Sequence, residues 1–86
     1  MGHNWVLSKT ADVQGVAADG MGAGAASGYI KAGDDRVIAA TAIIGGGEST
    51  SVEFSVAQMA AGADYTFYCT FPGHSFVMQG KFNLTT

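Results

Sequence analysis

Glycine cuts this chain into pieces too short for long helices. Gly15, Gly20, Gly22, Gly24 and Gly28 crowd an Ala- and Gly-dominated stretch from Lys9 to Lys31. Each glycine in a helix interior costs up to about 1 kcal/mol relative to alanine. Thr10 or Asp12 is placed to cap a helix over residues 11–19. The stretch therefore predicts one short, imperfect helix followed by loop, with a mobile linker as the other reading of the same low complexity. Gly45, Gly46 and Gly47 end the apolar run 37–44, which is β-branched at both ends.

What remains is a set of short extended segments. Residues 4–8 are rich in strand formers and read as a buried strand, with Trp5 in the core. Residues 51–56 alternate strictly, which turns Val52, Phe54 and Val56 inward and Glu53 and Ser55 to water. Residues 59–64 read as a turn. The next strand, 65–69, puts Tyr65, Phe67 and Cys69 on one face, and residues 81–85 close the chain with Phe82 and Leu84 inward. Short strands, Gly-rich turns and one weak helix predict an all-β fold, an antiparallel β-sandwich with a short helical flap.

With 86 residues the chain makes one small domain, 1–86, near the size where burying enough apolar surface is difficult. Cys69 is the only cysteine, so no disulfide within the chain supports it. A net charge of -3 with only four Lys and Arg argues against nucleic acid and anionic membrane as partners. No apolar run approaches the roughly 20 residues of a membrane span. Met1-Gly2-His3-Asn4 has no basic region and does not read as a signal peptide.

Chemistry concentrates between Cys69 and Met78. A thiol, an imidazole (His74) and a thioether (Met78) recur there, with four residues between the first pair and three between the second. Pro72-Gly73 forces a turn that folds His74 back towards Cys69. Thiolate and thioether are soft donors, and imidazole suits copper as well as zinc, so the loop reads as a metal clamp lacking one ligand. His3, at the head of the first apolar stretch, is available as the fourth. Two His, one Cys and a weak axial Met make the donor set of blue-copper electron-transfer sites. Taken singly, a lone Cys reads as a small buried hydrophobe and a Met as core filler; the spacing favours ligands.

The segments 1–8, 12–16, 36–39 and 69–75 resemble the azurins, blue copper proteins of the cupredoxin family, and the likeness runs the length of the chain. The resemblance implies a Greek-key sandwich, incomplete here because azurins carry a leader and about three strands before the segment matching Met1. It implies a type 1 copper site that shuttles single electrons between Cu(I) and Cu(II), and no enzyme activity. His3, Cys69 and His74 would be strong ligands, Met78 a weak axial one and the Gly2 carbonyl a distant contact opposite it. Asn4 would tie the ligand segments together, and backbone N–H groups near Asn4 and Phe71 would point at the Cys69 sulfur. Met1 and Met21 would join Phe71, Phe76 and Val77 in an apolar patch around His74. Implied too are the bacterial periplasm and redox partners such as c-type cytochromes or copper reductases.

Other classes compete for the same residues. Structural zinc would take Cys69, His3 and His74, although such sites prefer more thiolates or imidazoles and rarely employ Met. A hydrolase would use Cys69 as nucleophile and His74 as base, against which stands a cysteine between aromatics. A third reading is a metal-free fragment. Absent first strands would leave sheet edges and inner faces open, which predicts self-association or a weakly stable fold.

Overall fold

The structure, a computed structural model, describes residues 2–57 and 59–84. Among these, four antiparallel strands form one sheet in the order β2-β1-β3-β4, with β1 at Val6–Lys9, β2 at Ala39–Ala40, β3 at Tyr65–Tyr68 and β4 at Gln79–Phe82. β1 and β3 lie at the centre, Val6 opposite Tyr68 and Leu7 opposite Phe67. Because side chains alternate across a strand, this register puts Val6 and Tyr68 on one face and Leu7 and Phe67 on the other. Gly80 of β4 stands opposite Phe67, whose ring occupies the space a β-carbon would need.

Each face has its own core. On the first, Val6, Tyr68 and Val16 are fully buried, with Val13, Ile30, Val37 and Ala40 packed around them. Val16 comes from helix α1, Val13–Ala23, which follows a 3-10 turn at Thr10–Asp12. On the second, Leu7, Met59 and Tyr65 are buried beneath Trp5, Phe54, Phe67, Phe82 and Leu84. Trp5 is half-buried and stacks on Phe67 at a centroid distance of 6.0 Å, with Phe54 at 5.9 Å. Its expected place in the core holds, at the open side of that core.

The helix runs further than the glycines predict, to Ala23 instead of Asp19, and starts two residues later. Tertiary contacts outweigh propensity here. A methyl group at position 20 would overlap the Tyr29 carbonyl oxygen, and one at position 15 would collide with the Arg36 guanidinium. Glycine thus lets two neighbours lie directly on the helix. Neither expected cap operates: Asp12 holds the N-cap position without a side-chain hydrogen bond, and the Thr10 hydroxyl bonds that of Thr66 at 2.7 Å.

Other expectations need correction. Residues 51–56 form no strand, and Val56 is exposed. Alternation gives a segment two faces, but a strand also requires a hydrogen-bonded neighbour, and among the described residues this segment has no ladder partner. The apolar run 37–44, for which the sequence predicts no particular element, contributes Ala39–Ala40 to the sheet, with Ile44 added through an isolated bridge to His3. The first strand is Val6–Lys9 where residues 4–8 were expected, and the last begins at Gln79. Phe82 and Leu84 pack inward as expected; Thr85 and Met1 lie outside the described residues.

Arg36 locks the helix to the loop after it. Its guanidinium bonds Asp19 at 2.6 Å and both carboxylate oxygens of Asp34 at 2.8 Å, and the Asp34 side chain is only 3% exposed. The side-chain hydrogen bonds from Arg36 hold the Asp34 carboxyl below its ordinary 3.8, against the opposing effect of desolvation. A carboxyl depressed in the folded state contributes stability above its unfolded pKa, lost as pH falls through the folded one. Melting temperatures of the parent and Asp34→Asn should therefore differ most at about pH 6 and converge towards about pH 2. A gap that stays constant over that range would show that the pair contributes nothing through its charge.

Candidate metal centre

The two central strands deliver the donors. His3 precedes β1 and is fixed to Ile44 by reciprocal backbone hydrogen bonds, both 2.8 Å. Cys69 follows the last residue of β3, and its N–H donates to the Met78 carbonyl at 3.1 Å, which closes the base of the loop. Inside, the His74 N–H donates to the Phe71 carbonyl at 2.9 Å, the Met78 N–H donates to the His74 carbonyl at 2.8 Å, and Gly73 supplies a left-handed residue (φ 83°). The turn expected at Pro72-Gly73 is present and returns His74 to Cys69.

One nitrogen of His3, the sulfur of Cys69 and one nitrogen of His74 lie within 4.8 Å of one another. Cys69 Sγ is 3.6 Å from His74 Nδ1, and the two imidazole rings are 4.9 Å apart at their centroids. Cys69 is 2% exposed. The Nδ1 atom of His3 is buried with no hydrogen-bond partner among the described residues. Buried polar atoms are nearly always satisfied, so an orphan beside a thiol and a second imidazole fits a site shaped for an ion. One soft sulfur and two imidazoles are a donor set that copper accepts.

Asn4 joins the segment of His3 to that of Cys69. Its side chain accepts from the Thr70 N–H at 2.8 Å and donates to the Thr70 hydroxyl at 2.7 Å and to the Gly28 carbonyl at 3.3 Å. Its own N–H donates to Cys69 Sγ at 3.5 Å. The second expected donor to that sulfur, near Phe71, forms no such bond among the described residues. Phe71 instead packs its ring 4.8 Å from that of His74 and 5.2 Å from that of Tyr29. Gly2 lies where a β-carbon would meet the Ile43 side chain at 2.6 Å. Met78 is joined to Cys69 through its backbone and is 40% exposed.

Thr70, Gly28 and Ile44 support the site without having been expected. Thr70 had one signal, its place beside Cys69; Ile44 and Gly28 had none, since their partners are distant in sequence.

A family model described as copper-binding proteins of the plastocyanin/azurin family matches residues 1–85. The chain is similar to azurin of Bordetella pertussis, 61% identical over 84 residues, covering 98% of this chain and 56% of that protein. It is likewise 61% identical to azurin-2 of Alcaligenes xylosoxydans xylosoxydans, over 98% of this chain and 65% of that one. Among solved structures, the azurin Az-iso2 from Methylomonas sp. strain J superposes with a TM-score of 0.97 at 51% identity, over 100% of this chain and 67% of that one. The chain thus spans between about half and two-thirds of the length of these relatives.

Proposed function

The chain belongs to the plastocyanin/azurin family of copper-binding proteins, and on that premise we propose that it is one cupredoxin-like domain that carries single electrons through a type 1 copper site. The observation that carries this reading is the convergence of His3, Cys69 and His74 within 4.8 Å, with an unpartnered nitrogen among them. In this reading those three would hold the ion strongly, with Met78 as a weak ligand and the Gly2 carbonyl as a distant contact. Bound copper supplies a one-electron couple. The residues supply a compromise: thiolate and thioether suit its reduced state, imidazoles its oxidised state. The Asn4 N–H at the sulfur stabilises an electron-rich thiolate and so raises the potential. Titrating purified protein with Cu(II) should produce an intense visible thiolate-to-copper band; binding without it would sink the electron-transfer reading.

As a weak donor, Met78 should only tune the site. Met78→Leu should keep the blue colour and raise the potential, by removing donation to Cu(II). Abolished copper binding would make Met78 a primary ligand.

The surroundings suggest how the carrier meets its partners. Phe76 is 77% exposed and Val77 80%, with Met21 also exposed near the loop. Exposed apolar patches mark docking surfaces, and small uncharged ones suit brief redox encounters. We assign this patch to electron exchange through His74, with c-type cytochromes or copper reductases as partners in a bacterial periplasm. No helix among the described residues is long and apolar enough to cross a membrane.

The half-buried face of Trp5, Phe54, Phe67 and Phe82, and the unladdered segment 51–56, should make the isolated chain self-associate. Light scattering should give a mass above the 8.8 kDa of one chain, rising with concentration. A monodisperse monomer with a sharp, cooperative melt would show these strands to be self-sufficient.

A further inference from the structure

We propose that Tyr29 is a positioning residue for His74, acting through Phe71, an inference that rests on the copper reading of the site. Apart from the 3.6 Å approach of Nδ1 to the Cys69 sulfur, the His74 side chain makes no hydrogen bond among the described residues. Its ring orientation is left to packing, with His3 at 4.9 Å and Phe71 at 4.8 Å. The Phe71 ring lies against the backbone at Gly2 and is met edge-on by the ring of Tyr29 at 5.2 Å, with an interplanar angle of 68°.

Tyr29 is held with unusual force. Among the described residues it is the one non-glycine residue with positive φ, at 56°. An L side chain in that region clashes with its own backbone, and such strain persists only where surroundings over-determine it. Here three contacts do so. The Tyr29 N–H donates to the Gly24 carbonyl at 3.1 Å, and its own carbonyl presses against α1 where Gly20 leaves room. The preceding Gly28, also left-handed at φ 64°, accepts from the Asn4 side chain at 3.3 Å. Glycine at position 29 would relieve the backbone, so the tyrosine is offset by what its ring does. That ring braces Phe71. Helix, turn, Phe71 and His74 thus stand in series, and the flap sets the orientation of the imidazole.

Three variants separate ring, hydroxyl and backbone: Tyr29→Phe, Tyr29→Ala and Tyr29→Gly. In metal-free protein, side-chain NMR relaxation should show the His74 ring losing order in the Ala and Gly variants and keeping it in Tyr29→Phe. After Cu(II) addition, the visible band should broaden and electron self-exchange fall severalfold in the same two variants, with Tyr29→Phe matching the parent. Should truncation loosen the flap itself, seen as lost amide protection in α1, Phe71→Leu leaves the turn untouched and should give the same loss of His74 order. An equally ordered His74 ring in Tyr29→Ala and Tyr29→Gly would overturn the proposal, as would an ordered ring in Phe71→Leu or a loss that Tyr29→Phe shares. A parent without the blue band would remove the copper reading alone, since the metal-free comparison still decides whether Tyr29 positions His74.

Discussion

Cys69→Ser should abolish the intense visible band while leaving the fold in place. A hydroxyl is a hard donor and cannot supply the thiolate charge transfer, even if Cu(II) still binds the two imidazoles. The substitution is close to isosteric, and the Asn4 N–H that now points at the sulfur retains an acceptor, so the metal-free stability should change by no more than about 1 kcal/mol. Colour and stability should therefore part company. A serine variant that stayed blue would show that another group gives rise to the band, and the ligand assignment would fall.

The largest effect on folding should come from Asn4→Ala. Asn4 is 8% exposed, and its amide answers the Thr70 N–H, the Thr70 hydroxyl and the Gly28 carbonyl together. Alanine would leave the Thr70 donor buried and unpaired, at roughly 1–3 kcal/mol, and would forfeit two further bonds of about 1 kcal/mol each. The sum, roughly 3–5 kcal/mol, is a large share of the 5–15 kcal/mol typical of a domain. For a chain of this size, at about 4–8 °C for each kcal/mol, the melting temperature should drop by roughly 12 °C or more. Calorimetry on metal-free protein reads this directly; a loss of a degree or two would mean that water replaces the amide.

How much could be read beforehand depended on distance along the chain. The approach of His74 to Cys69 is legible because one loop carries both and Pro72-Gly73 announces the turn; Met78 meets Cys69 through its backbone carbonyl. In the sequence His3 stands far from that loop; the fold brings it within 4.8 Å of Cys69 and His74. Thr70 and Tyr29 escaped because their work is done against residues remote in sequence: Asn4 is 66 positions from Thr70, and Tyr29 answers to both Gly20 and Phe71. The two misread segments share that cause. Residues 51–56 have the alternation of a strand, yet a ladder needs a neighbour that no local pattern supplies. The glycines of α1 weaken a helix in isolation, yet at positions 15 and 20 they admit the contacts that hold it.

The placement of the donors has a consequence for how metal and folding depend on each other. Cys69 and His74 are five positions apart, so an unfolded chain already offers thiol and imidazole as a chelate. His3 arrives only when β1 pairs with β3. A ligand stabilises a fold by its preference for folded over unfolded chain, and affinity for the unfolded chain is subtracted. On the copper reading, the loop would capture the ion, and His3 would convert capture into stability. Removing His3 should leave a chain that still binds metal but no longer folds any better for holding it.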